Sequence, residues 1–303
     1  MDERQKRQFR RAMILIRQQK WQAASNILGN LLAITNTPVI VKKQVLVLVH
    51  LHQYIQAQNL VFDQPTLFLG TQVDAKLALQ VLLANQHFIK ARLFITGAPQ
   101  TWQTELKQLI TDSEQAAELK YQATIKQTLQ QFYHLGDGNI RQQRERLDNA
   151  YNLPLNDFLL GTRFVLRDPF VQPLIKSDIL EKLRAIGVAT SVTYLWLDNH
   201  EYQVIPAQLK ASDDLPIVHA VRRTLRKRLA NQDIMRYQLA SQQFNLQIMF
   251  LFPRITTVIT DPQRWVAVLL ATINGQKIPT TDQAVKWQQL ITTRINELAQ
   301  GNK

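Results

Sequence analysis

The chain has 303 residues, 36 basic against 23 acidic side chains for a formal charge of +13, and no cysteine, which excludes disulfides, thiolate metal sites, iron–sulfur clusters and a cysteine nucleophile. Nine glycines and eleven prolines are too few for a chain built on many tight turns, so the composition argues against an all-β protein and for a mainly α one. The positive excess favours an acidic partner, which could be a protein segment, a nucleic acid or anionic lipid headgroups.

The N-terminal run Met1-Asp2-Glu3-Arg4-Gln5-Lys6-Arg7 is charged and leads into an amphipathic stretch instead of the apolar core of a signal peptide. The mature protein is therefore expected to begin near Met1 and to be cytoplasmic. The most apolar stretches, Val45 to Val49 and Ile248 to Phe252, fall far short of the ~20 residues of a membrane-spanning helix, so no membrane span is expected. Arg4, Lys6, Arg7, Arg10 and Arg11 place positive charge at a helix start, against the helix dipole, at about 0.3 to 1 kcal/mol for each badly placed group.

One signature occurs three times in the first hundred residues: Gln19-Lys20-Trp21-Gln22-Ala23-Ala24, His52-Gln53-Tyr54-Ile55-Gln56-Ala57 and Gln86-His87-Phe88-Ile89-Lys90-Ala91. Each sets an aromatic residue three positions before an alanine, at intervals of 33 and 34 residues. Each follows an apolar helical run and leads toward another, which reads as helix, tight turn, helix. The ring fills the wedge between the helices and the alanine lets them approach.

At these residues the chain resembles the tetratricopeptide repeat, a helical hairpin with an aromatic and an alanine at this offset. Ala12 matches the small residue usual inside the first helix, whereas Val45 and Leu79 stand at the equivalent places and no proline closes each copy. The resemblance implies tandem antiparallel helical hairpins in a superhelix. In that arrangement the first helices would line a groove bearing Lys6, Phe9, Arg17, Lys42, His50 and Lys76, suited to an acidic protein partner.

Beyond residue 100 the spacing predicts one or two polar helices, over Thr101 to Asp112 and Glu114 to Tyr133, a turn at Leu135-Gly136-Asp137-Gly138, and a helix from Ile140 to Tyr151. Asp168-Pro169 and Asp261-Pro262 each set an acidic cap before a proline, which predicts helix starts at both. Asp213-Asp214 favours the start of a helix running through Pro216 toward Ala230. Ser191 to Leu197 and Glu201 to Pro206, rich in β-branched and aromatic residues around Asp198-Asn199-His200, predict a small β-hairpin insertion near 191–206.

Asp168-Pro169-Phe170-Val171, Leu174-Ile175-Lys176, the hairpin and Gln243 to Pro253 are similar to uncharacterised tetratricopeptide-repeat proteins of low-GC Gram-positive bacteria, in which the hairpin turn usually carries glycine. The sequence thus divides into repeats over 1–100, further helical hairpins over 101–187, and the hairpin with a C-terminal helical section over 188–303.

Catalytic signatures are lacking. The chain has no phosphate-binding loop, dinucleotide fingerprint or nucleophile elbow. His50 and His52, two residues apart, point about 200° apart on a helix and could not grip one metal. An enzyme, a cofactor and a metal are therefore not expected. The strongest charge pattern is Arg222, Arg223, Arg226 and Lys227 beside Val218, Val221, Leu225 and Leu229. At 100° per residue the apolar set spans about 80° and the basic set the next 140° or so. This basic face reads either as a phosphate-contacting surface for a nucleic acid, RNA included, or as a solvated helix face. The reading that ties these features together is a non-enzymatic protein-interaction scaffold, with nucleic-acid binding as the alternative.

Overall fold

The computed structural model describes residues 1–230, 233–276, 278–279 and 281–300; among these the protein is mainly helical, with sixteen α-helices and one two-stranded antiparallel sheet. No helix among the described residues is long and apolar enough to cross a membrane. The chain forms two compact units, Met1–Gln127 with Tyr151–Phe158, and Thr128–Ala150 with Leu159–Lys303.

The first unit begins with α1 (Glu3–Arg17), α2 (Trp21–Leu32), α3 (Pro38–His50), α4 (Tyr54–Asp63), α5 (Gln72–Ala84), α6 (Phe88–Thr96) and α7 (Gln100–Lys120), and each of these helices packs on the next. The three signatures build the same turn. Gln19, His52 and Gln86, each two residues before its aromatic, have φ of 58°, 56° and 59°. The residue after each, Lys20, Gln53 and His87, donates its N–H to the carbonyl five positions back, at Leu15, Leu48 and Leu82. That bond closes the last turn of one helix and points the chain back along it, and the second helix starts at the aromatic. Ala24, Ala57 and Ala91 are each fully buried, as the close approach of two helices requires. Left-handed backbone costs a residue other than glycine about 1–2 kcal/mol. Gln19 is exposed, so Gln19→Gly is expected to raise stability to urea by about 0.5–1 kcal/mol; a loss would mean that the glutamine side chain itself holds the turn.

The basic start of α1 is offset locally. Asp2 caps the helix by accepting from Gln5 N at 2.7 Å while Gln5 Oε1 accepts from Asp2 N at 2.9 Å, and Glu3 pairs with Lys6 at 2.7 Å. Further along, α7 runs unbroken through Ser113 and ends at Lys120, so the stretch forms two helices that divide at Tyr121 instead of at Ser113. No glycine or proline breaks it there, and Glu114 is buried in mid-helix against Arg92 of α6. The segment Tyr151–Phe158 returns to this unit, with Tyr151 O accepting from Ile89 N at 3.1 Å and Glu114 Oε1 accepting from Leu155 N at 3.2 Å.

Helix α8 (Gln122–Tyr133) leads out of the first unit, and the second contains α9 (Ile140–Ala150), the end of α10 (Leu155–Val165), α11 (Pro173–Ala185), β1 (Val192–Leu195) and β2 (Glu201–Val204). Gly161 of α10 lies against Phe132 so tightly that a Cβ there would stand 2.3 Å from its Cδ1. No helix starts at Pro169, contrary to the expectation from Asp168-Pro169. Asp168 Oδ1 instead accepts from Phe170 N at 2.8 Å in a local turn, and α11 starts one turn later at a second proline, Pro173. The hairpin is present in the register Val192↔Val204 to Leu195↔Glu201. Asn199 takes a φ of 62° in its turn, the conformation that asparagine tolerates better than most residues. The hairpin is seated by Leu195 N donating to Leu166 O at 2.8 Å and by burial of Val192 and Tyr194.

Helices α12 (Pro216–Leu229), α13 (Ile234–Leu251), α14 (Ile255–Val258), α15 (Pro262–Ile273) and α16 (Gln283–Gln300) complete this unit, with α13 packed on α11, α12, α15 and α16. The start of α15 is as expected, since Asp261 accepts from Gln263 N and Arg264 N. The acidic pair before α12 forms a short 3₁₀ turn, Ser212–Asp214, ahead of the helix. A buried chain of hydrogen bonds ties three helices: Trp265 Nε1 donates to Gln247 Oε1, and Gln288 Nε2 donates to Trp265 O, each at 2.9 Å.

Candidate functional site

The residues expected to line a groove lie on α1, α3 and α5, and the structure gives them different surroundings. Phe9 packs against the buried cluster of Ala12, Ala24 and Leu28, so its ring belongs to the core of the first helix pair. His50, the last residue of α3, stacks on Trp21 with ring centroids 3.9 Å apart and planes 5° from parallel. It therefore caps the preceding turn. Arg17 is exposed at the end of α1, and Lys6 is half-exposed beside Glu3.

Lys42 and Lys76 occupy equivalent places, 34 residues apart, and each reaches the first helix of the following pair. Lys42 Nζ lies 2.7 Å from Asp74 of α5, and Lys76 Nζ 2.5 Å from Glu105 of α7. Asp74 also accepts from Thr71 Oγ1 at 2.8 Å, while its own N–H donates to Thr71 Oγ1, the cap of α5. The result is a two-step ladder of ion pairs across α3, α5 and α7. The spacing of the lysines was legible in the sequence. Their acidic partners, 32 and 29 residues further on, were not, because they do not repeat at a common offset. The Lys42–Asp74 pair is largely shielded, with side-chain exposures of 25% and 20%, whereas Lys76 and Glu105 are exposed at 41% and 50%, so a competing carboxylate would reach Lys76 more readily.

On α12 the apolar positions Val218, Val221, Leu225 and Leu229 are all buried. The basic set divides. Arg222 is engaged by Asp213 at 2.7 Å and by Asn245 of α13 at 3.1 Å. Arg223, Arg226 and Lys227 are exposed, and among the described residues no carboxylate pairs with them. Arg226 and Lys227 fall in the last turn, where the helix dipole favours positive charge.

Two further features escaped the sequence reading. Helix α13 exposes Met235, Leu239 and Met249 at 77%, 44% and 53%. Their spacing puts them along one face, and the Arg222–Asn245 contact sets that helix beside the basic residues of α12. The signal was the run of apolar residues all round α13, too many for a one-sided helix. The second is Lys176, which is 7% exposed on the buried side of α11; it precedes Ile179 and Leu180 by three and four positions, a cation at helical spacing within an apolar face.

No protein-family model, curated protein or solved structure matches this chain.

Proposed function

We propose that the chain is a non-enzymatic protein-interaction scaffold in which three helical hairpins stack in the manner of tetratricopeptide repeats and present a groove to an acidic protein segment. The observation that carries this reading is the recurrence of one turn geometry at Gln19, His52 and Gln86, with the same hydrogen bond after each. Repeating hairpins that hand the chain on identically are the unit from which helical-repeat binding surfaces are assembled. The ladder Lys42–Asp74 and Lys76–Glu105 is consistent with such stacking, since it joins the first helix of one pair to the first helix of the next. Lys6, Arg17 and Lys76 are the cations most open to an incoming carboxylate.

A second reading, binding of a nucleic acid at α12, is favoured by the exposed Arg223, Arg226 and Lys227, with which no carboxylate pairs among the described residues. The apolar Met235, Leu239 and Met249 on the neighbouring helix argue for a protein there too, because a phosphate backbone gains little from them.

The test is titration of the full chain with a labelled pool of Asp/Glu-rich peptides and, separately, with a short RNA. The triple change Lys6→Glu, Arg17→Glu and Lys76→Gln is expected to weaken peptide binding by about ten-fold or more, with Arg223→Glu/Arg226→Glu/Lys227→Glu leaving it unchanged. If only RNA binds, if its affinity falls steeply with salt, and if the α12 triple variant abolishes it, the nucleic-acid reading replaces the scaffold reading.

A further inference from the structure

Within the second unit, α11, the end of β1, the end of α13 and α16 surround a cavity of about 100 Å³. Its lining combines the aromatic side chains of Tyr194, Trp196, Phe250 and Phe252 with polar ones such as Gln172, Ser177 and Asn199, and its charged residues are Lys176, Arg294 and Glu297. Lys176 is almost completely buried, yet among the described residues its ammonium has one weak hydrogen bond, to Leu195 O at 3.4 Å, and no carboxylate within ion-pair distance. An ammonium carries three donors, and an under-satisfied buried charge is expensive unless something answers it. Two of the lining residues also carry a buried donor with no hydrogen-bond partner among the described residues, Trp196 Nε1 and Arg294 Nε. Arg294 spends its other side on Glu297, Nη1 to Oε2 at 2.9 Å, which leaves the lining with one net positive charge.

We propose that this cavity binds a small organic monocarboxylate, its oxygens held by Lys176 with Arg294 and its short apolar tail against the aromatic side chains. The net charge selects a monoanion over a dianion such as phosphate. The volume selects size, since a cavity of ~150 Å³ holds benzene, so this one suits a chain of roughly four to six non-hydrogen atoms, in the range of acetate to butyrate. Lys176 and Arg294 are the kind of charged donors that such sites use to fix a ligand's orientation.

The groups facing Lys176 set its pH dependence. Burial lowers its ammonium to about 8, Asp168 in the preceding loop opposes that shift, and Arg294 from α16 adds to it. Tyr194 of β1 stays a neutral hydroxyl, pushed up to about 12 by its own burial. Carboxylate affinity should therefore hold near neutrality and fall about ten-fold for each pH unit above about 8, as Lys176 loses its proton.

The experiment is calorimetric titration of the full chain with acetate, propionate, butyrate and inorganic phosphate, with Lys176→Met and Arg294→Gln as variants. Saturable binding of propionate or butyrate that is weaker by more than about ten-fold in Lys176→Met and exceeds phosphate binding supports the proposal. It is overturned if wild-type protein binds none of the carboxylates, if phosphate binds as well as they do, or if Lys176→Met binds them unchanged. Should Lys176→Met not fold, the wild-type pH profile decides, because affinity that stays flat from about pH 7 to about pH 9.5 excludes Lys176 as the anion's partner.

Discussion

Replacing Glu114 by alanine is expected to lower the unfolding free energy by about 3–5 kcal/mol, the range for breaking one side of a buried ion pair. The pair is enclosed, with side-chain exposures of 14% for Arg92 and 8% for Glu114, and the guanidinium meets both carboxylate oxygens, Nε at 2.9 Å and Nη2 at 2.6 Å. Oε1 also accepts from Leu155 N, so the substitution strands a buried guanidinium and a backbone donor together. It also releases the segment Tyr151–Phe158 from its place against α7. Glu114→Gln keeps an acceptor for Leu155 N and should cost less, about 2–3 kcal/mol. The double change Arg92→Leu/Glu114→Leu should recover most of the loss, because two apolar side chains of similar size need no compensation for lost hydration. Urea denaturation of the three variants checks the order. If the double variant is as unstable as Glu114→Ala, the pair matters through the Leu155 hydrogen bond and not through its charges.

How much of this architecture could be read beforehand depends on whether a residue acts within its own turn or across the fold. The aromatic and alanine of each signature act locally, and so does Asp261, which caps the helix that follows it; these were legible. Asp168 has the same dipeptide context as Asp261, but its carboxylate serves a local turn to Phe170 and the helix begins at Pro173. Nothing within the dipeptide separates the two cases. Polar side chains that act over distance were hidden for a stronger reason. Glu114 looked like the start of a new helix because its partner Arg92 lies 22 positions away, and Asp74 and Glu105 looked like ordinary surface acids until α3, α5 and α7 brought the lysines to them. On α12 the apolar positions are buried and Arg223, Arg226 and Lys227 exposed, but periodicity does not reveal that Asp213 and Asn245 engage Arg222. Lys176 did leave a trace, as a cation inside an apolar arc, and the trace gained meaning only when the hairpin and α16 closed a cavity over it.

Lys176→Met should make the protein more stable at neutral pH, although it removes the hydrogen bond to Leu195 O. Burial brings the Lys176 ammonium from its ordinary 10.5 down to about 8, a difference worth about 3 kcal/mol. Below about pH 8 both folded and unfolded chains carry the proton, so the folded state bears the whole burial penalty. Between about 8 and about 10.5 the folded chain has released the proton that the unfolded chain still holds, so the stability of the wild type rises with pH. Above about 10.5 both are neutral and the penalty is gone. Methionine has a similar volume and no charge, so the variant should gain about 2–3 kcal/mol at pH 7, with the gain shrinking to nothing by about pH 10.5. Denaturation at a series of pH values measures this directly; a variant less stable than wild type at pH 7 would mean that the contacts to Leu195 O and its surroundings more than repay the buried charge. A bound carboxylate acts on the same balance from the other side, since it binds the charged lysine and stabilises the wild type alone. If the cavity is a carboxylate site, propionate at about 100 times its dissociation constant should add about 2.7 kcal/mol to the wild type, close most of the gap to Lys176→Met, and leave the variant where it was.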